Sequence, residues 1–122
     1  MLKDKIILIA INKPKGFICT HKDDLNRKKA IDLIPKKTFQ TIKGKIHYVG
    51  RLDYNSQGLL LLTNNTKIKH YLESPTNKII RIYKVKVQGI IDLHIIKKIE
   101  KGLIINKLKY GVKSIKIIST TR

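Results

Sequence analysis

Nine residues bounded by glycines, Gly50-Arg51-Leu52-Asp53-Tyr54-Asn55-Ser56-Gln57-Gly58, hold the strongest candidate for chemistry. Asp53 is one of only eight acidic side chains against 27 Lys and Arg, and Arg51 is two positions away. A nearby cation favours the charged form of a carboxylate. A carboxylate on a polar loop between apolar runs is placed to act as a nucleophile or a base. Taken alone, Arg-Leu-Asp serves a simpler purpose equally well: Asp53 and Ser56 shape a turn, and Arg51 pairs with a surface acid. Further along, Arg81 and Tyr83 lie two residues apart in a stretch of period two. On a strand that spacing puts both on one face, so both could point into one cleft. Their plainer reading is a solvated cross-strand charge and a core aromatic. Lys13 and Lys15 flank Pro14 and could touch phosphate, or the Pro14-Lys15-Gly16 segment simply makes a turn.

These side chains need elements to hold them. Residues 6–11 form a continuous apolar run, expected to be a strand buried on both faces. Asn12-Lys13-Pro14-Lys15-Gly16 breaks it as a turn, and residues 17–20 read as a short second strand. Residues 29–34 look helical and stop before Pro35. Residues 36–45, with Lys36, Lys37, Lys43 and Lys45, read as a basic loop. Strands follow at 46–49 and 59–63, then a short helix from Thr66 to Leu72 and a turn at Ser74-Pro75. Residues 79–88 give the clearest strand pattern. Residues 92–101 have helical spacing and a stop at Gly102. Residues 104–108 and 112–118 are expected to close a hairpin around Tyr110-Gly111. Short connections and an excess of strands predict one mixed α+β domain over 1–122, with a largely antiparallel sheet.

Charge narrows the partners. The net charge is +19 over 122 residues, which points to a polyanion, most often a nucleic acid. Part of that excess is the Lys, Ile and Asn usage an AT-rich genome writes into tolerant positions. The longest apolar runs, 6–11 and 59–62, are too short to span a bilayer. No secretory h-region opens the chain, so a cytoplasmic location is the default, with an organelle as the alternative. Cys19, the only cysteine, excludes an internal disulfide and a cysteine metal cluster; a small core residue is its expected role. His21, His47, His70 and His94 sit in unrelated sequence contexts, so no metal site is expected.

The order of several motifs decides between these readings. Gly50-Arg51-Leu52-Asp53, followed by Ser56-Gln57-Gly58-Leu59-Leu60-Leu61-Leu62-Thr63-Asn64, resembles the signature of the RsuA/RluB family of ribosomal RNA pseudouridine synthases. Upstream, Asn12-Lys13-Pro14-Lys15-Gly16-Phe17-Ile18-Cys19-Thr20 is similar to that family's first motif. Downstream, Leu72-Glu73-Ser74-Pro75 and Arg81-Ile82-Tyr83-Lys84-Val85-Lys86-Val87 are similar to the segment leading into its tyrosine strand. The resemblance runs from about Ile9 to Val112. It implies a catalytic aspartate at Asp53, a tyrosine at Tyr83 stacking on the target uracil, and a cation at Arg81 near the aspartate. It implies that Arg51 contacts RNA near a flipped nucleotide. The implied reaction breaks the N1–C1′ bond of a uridine, turns the base and rejoins it through C5, with no metal and no organic cofactor. Asp53 would attack the sugar or assist its deprotonation; the residues leave both open. A base must leave its helix to be reached, and an aromatic ring offers it a stacking platform.

The chain departs from the family in places. No RNA-binding domain of the S4 type is expected before Met1, and nothing in 111–122 resembles the family's Glu-Gly-Lys/Arg-rich segment, so a catalytic domain incomplete at its C-terminal end is expected. Marginal stability and impaired activity are the corollary. Asn65-Thr66 stands where the family usually has Asp-Gly. The expected partner is ribosomal RNA, with a lean towards the large subunit from the 81–89 segment, and a monomer is the default. The alternative is an RNA-binding or ribosome-assembly protein that keeps the fold without turnover. A small basic ribosomal-type protein would explain the charge but not the ordered motifs.

Overall fold

In the computed structural model, residues 4–118 are described. The chain divides into two compact units, residues 1–81 and 82–122.

The first unit is built on a three-stranded antiparallel sheet of β1 (Leu8–Lys13), β2 (His47–Val49) and β3 (Gly58–Thr63), in the order β1-β3-β2. β3 is central because it is the most apolar, and its alternation buries Leu60 and Leu62 on one face. Opposite them in register sit Ile11 and Ile9 of β1, and Tyr48 of β2 faces Leu62. Cys19, Ala30, Ile34 and Ile46 complete this core, with Phe17, Ile31, Ile42 and Leu52 packed around it. β1 therefore buries one face, not the two expected: Leu8, Ala10 and Asn12 point to solvent. The core layer of Cys19, Ala30, Ile34 and Ile46 covers one face of the sheet, and Leu59 of the central strand is exposed on the other as well.

Segments around the sheet depart from expectation in detail. Residues 17–20 make no regular strand; Ile18 forms a single parallel bridge to Lys29. Residues Ala30–Leu33 are a 3-10 turn. The expected basic loop holds a short helix, α1 (Lys36–Thr41), that begins directly after Pro35, a residue suited to helix starts. α2 (Thr66–Glu73) packs against β2 and β3. Its N-cap is Asn65, whose Oδ1 accepts the Ile68 N–H at 3.0 Å. The departure at Asn65-Thr66 thus still supplies a cap. Asn64 ties three segments, accepting from Ile7 N–H at 2.8 Å and donating to Lys5 O at 2.8 Å and Lys43 O at 3.0 Å.

The second unit contains α3 (Leu93–Lys101), capped by Asp92 and closed at Gly102, and a hairpin of β4 (Leu103–Ile105) and β5 (Leu108–Tyr110). The hairpin turns at Asn106-Lys107, both with positive φ, which is the type I′ geometry. It is tighter and earlier than the expected turn at Tyr110-Gly111. Residues 79–88, expected as the clearest strand, form no regular strand: they find no pairing partner among the described residues, and Tyr83 is exposed. A period-two pattern specifies which faces a strand would have, not the neighbour that makes it one. Ile96 is the one buried apolar residue among those described in this unit.

Candidate active site

The Gly50–Gly58 loop joins β2 to β3 and is held by its backbone. Gly50, at φ 69°, donates its N–H to Glu73 Oε1 of α2 at 2.7 Å. Leu52 N–H donates to the buried Cys19 Sγ at 3.5 Å. Tyr54 O accepts the Gly16 N–H at 2.8 Å, and Asp53 O accepts the Ser56 N–H at 3.0 Å to close the turn. Arg27, clamped by Asp23 in a bidentate pair at 2.9 and 3.2 Å, lies with its guanidinium carbon 5.8 Å from the Tyr54 ring centroid. The Asp23 carboxyl is held below its usual range, chiefly by that Arg27 hydrogen bond.

Among the described residues the Asp53 side chain makes no hydrogen bond and no ion pair, and it is exposed. The backbone that carries Asp53 is thus held by its neighbours, while the carboxylate itself is open to a ligand.

Lys13 does not fit its expected place at phosphate. It is 0 % exposed, and its ammonium donates to Pro14 O and Phe17 O, both at 3.0 Å. A buried ammonium has to spend its donors on carbonyls. Those bonds fix the turn whose Gly16, at φ 87°, reaches the Tyr54 carbonyl, so Lys13 braces the Asp53 loop from behind. Lys15 and Arg51 are exposed and available. Arg81, expected beside Asp53, instead donates to Leu72 O at 3.0 Å. Tyr83 is exposed in the second unit.

Residue reading alone missed two supports. Glu73 anchors both Gly50 and Lys69, the latter at 2.8 Å. The Lys69 hydrogen bond, followed by the Gly50 N–H, holds its carboxyl below the usual range. Its signal was present in Leu72-Glu73-Ser74-Pro75, quoted for resemblance without a role. Tyr48 is the other: its hydroxyl accepts from Ile31 N–H at 3.0 Å and donates to Thr20 O at 3.1 Å. Burial pushes its phenol up.

With this loop geometry in view, comparison with known proteins is decisive. Residues 7–119 match the family model described as RNA pseudouridylate synthase. The chain belongs to this family. It is 40% identical over 108 residues to an uncharacterised RNA pseudouridine synthase of Rickettsia bellii, covering 87% of this chain and 43% of that protein. It is 32% identical over 117 residues to ribosomal large subunit pseudouridine synthase B of Bacillus subtilis, covering 96% of this chain and 46% of that protein. An uncharacterised RNA pseudouridine synthase of Mycobacterium leprae is 34% identical over 105 residues, covering 84% and 40%. The chain thus spans less than half the length of these relatives. The α+β class with antiparallel strands and short helices agrees with the family. No described helix is long and apolar enough to cross a membrane.

Proposed function

We propose that this chain carries the aspartate-presenting part of a pseudouridine synthase acting on ribosomal RNA. The observation that carries the reading is the Asp53 loop, pinned through backbone atoms while its carboxylate stays unengaged. The Bacillus subtilis relative's name supports the large subunit as the source of the target uridine. In this reading a uridine leaves its helix and Asp53 either attacks C1′ or removes a sugar proton. The N1–C1′ bond breaks, the base turns, and C5 bonds to C1′, displacing the Asp53 carboxylate in the first case or with the sugar proton returned by Asp53 in the second. The C5 proton leaves and N1 gains one, so the reaction is an isomerisation. Tyr83 stacks on the base and Arg51 contacts the RNA beside it. Arg81 serves at Asp53 only after releasing the Leu72 carbonyl. The residues in these roles supply the chemistry without a metal or organic cofactor.

A second reading is RNA binding without turnover. The engagement of Arg81 at Leu72 rather than at Asp53 favours it.

Pseudouridine formation on unmodified ribosomal RNA, wild type against Asp53→Ala, separates the two. The enzyme reading expects product from the wild type and a loss on the order of 10³-fold or more in the variant. Absence of product from both, with RNA binding equal, sinks it and leaves the binding reading.

A further inference from the structure

Behind the Asp53 loop, wholly within the first unit, lies an open cleft of about 360 Å³. Its polar lining comes from Thr20, His21, Lys45, His47, Arg51, Lys69 and Glu73. Three permanent cations stand against one carboxylate, a net +2 before either histidine is counted. The carboxylate is already engaged: Glu73 accepts from Lys69 Nζ at 2.8 and 2.9 Å and from Gly50 N–H at 2.7 Å. Arg51 and Lys45 make no ion pair among the described residues. His21 stands over Tyr48, ring centroids 5.1 Å apart and planes tilted by 49°, and the doubly bonded Tyr48 hydroxyl keeps that ring still. Tyr48, Lys69 and Glu73 are thus held by their bonds, Lys45 and Arg51 are left unpaired among the described residues, and Arg51 joins the cleft to the loop. Two extended residues span at most about 7 Å, so the backbone of Arg51, which lines the cleft, lies within roughly that distance of the Asp53 backbone.

We propose that this cleft seats a phosphodiester of the RNA strand next to the target nucleotide, with His21, His47 and Lys45 as the phosphate-contacting side chains. The proposal rests on the reading that this chain acts on RNA. It gives a role to two histidines whose sequence contexts are unrelated and which the fold brings to one cleft.

The groups facing His21 explain what an anion would change. Burial first, then Lys45, His47 and Lys29, lower the His21 imidazole below its usual range. Tyr48 offers a ring rather than a charge, and Glu73 is held by Lys69. Repulsion among like charges is the situation a phosphate relieves. Phosphate binding therefore favours protonated His21, and RNA affinity rises as pH falls through the histidine range.

The test is filter binding of an in vitro transcribed, unmodified ribosomal RNA at about 50 to 200 mM salt, at pH 8 and pH 6. Wild type is compared with the triple variant His21→Gln, His47→Gln, Lys45→Gln. The triple variant is expected to lose about 0.7 from the slope of log affinity against log salt for each phosphate contact removed, and to lose the gain at pH 6. An unchanged slope and pH profile overturn the proposal. Should the variant fold poorly, the wild type decides alone: the His21 and His47 imidazole proton resonances are titrated with and without a short single-stranded RNA, and with inorganic phosphate. Titration midpoints raised by RNA support the seat; midpoints raised by inorganic phosphate only, or by neither, overturn it. Pseudouridine is assayed on the same RNA. Product formation with an unchanged slope removes the seat and keeps the enzyme; a changed slope without product does the reverse.

Discussion

Leu62 and Ile104 are both branched aliphatic residues on short antiparallel strands, yet Leu62 is 0 % exposed and Ile104 is 76 % exposed. The difference lies in what each strand's neighbours do. β3 has a partner on each side and a layer of Cys19, Ala30, Ile34 and Ile46 over its inner face. The β4–β5 hairpin has one pairing; its own Leu108 is exposed, as are Ile90 and Leu93 elsewhere in the unit. The two units have similar apolar content per residue but only the first turns it into a core. Hydrophobic stabilisation follows the area removed from water, not the number of apolar residues. The candidate site's pinned loop belongs to the unit that made the conversion, which is why a nine-residue loop can be rigid.

The comparison breaks most easily under hydrogen exchange. Amides of β3 should open only with the first unit as a whole, while those of 82–88, which lack strand partners among the described residues, should exchange at near-unprotected rates. The expected gap in protection is on the order of 10³-fold or larger. Comparable protection in both segments would mean that the second unit has a stabilising layer of its own. Next in size are core truncations. Leu62→Ala should cost about 2–5 kcal/mol in urea melts, whereas Ile104→Ala should stay within about 0.5 kcal/mol. Equal costs at the two sites would end the distinction.

How far the sequence announced this varies by element and for physical reasons. β2, β3, α2 and α3 were legible because apolar runs or helical spacing, and the breaks that bound them, agree over these segments. So was the loop that carries Asp53, through its bounding glycines between two apolar runs. Residues 79–88 read as the clearest strand and are not one, because strand formation needs a pairing neighbour that periodicity does not contain. The hairpin turn was misplaced since Lys107 carries no turn signature, although Asn106 does. Lys13 looked like a phosphate contact because charge is visible in a sequence and burial is not. The Glu73 tie and the meeting of His21 with His47 depend on long-range packing, between residues that are far apart along the chain.

A smaller effect sharpens the link between core and site. Glu73 has a depressed carboxyl, so its contribution is fully present above the usual carboxylate range and fades as pH falls through and below it. Lys69, the Gly50 N–H and, more weakly, His70 are the groups that face it. Glu73→Gln should cost about 1.5 kcal/mol at neutral pH, as expected for a partly exposed hydrogen bond to a charged group, and progressively less as acid titrates the carboxylate through its lowered range. If the cost persisted unchanged in acid, the carboxylate charge would not be what ties α2 to Gly50.

The smallest predicted effect puts the same chemical change into both units. Asn65 caps α2 by accepting from Ile68 N–H at 3.0 Å, and Asp92 caps α3 by accepting from Ile95 N–H at 2.9 Å. Either cap replaced by Ala should cost its helix about 1 kcal/mol. The consequences should differ because α2 packs against β2 and β3: losing its cap weakens a cooperative structure, and Asn65→Ala should lower the main thermal midpoint by several degrees. α3 has one buried side chain, Ile96, so Asp92→Ala should reduce far-ultraviolet helical signal at low temperature while the main midpoint stays in place. Midpoints that fall together in the two variants would show that the units melt as one, and that the burial seen at Leu62 supports α3 as well.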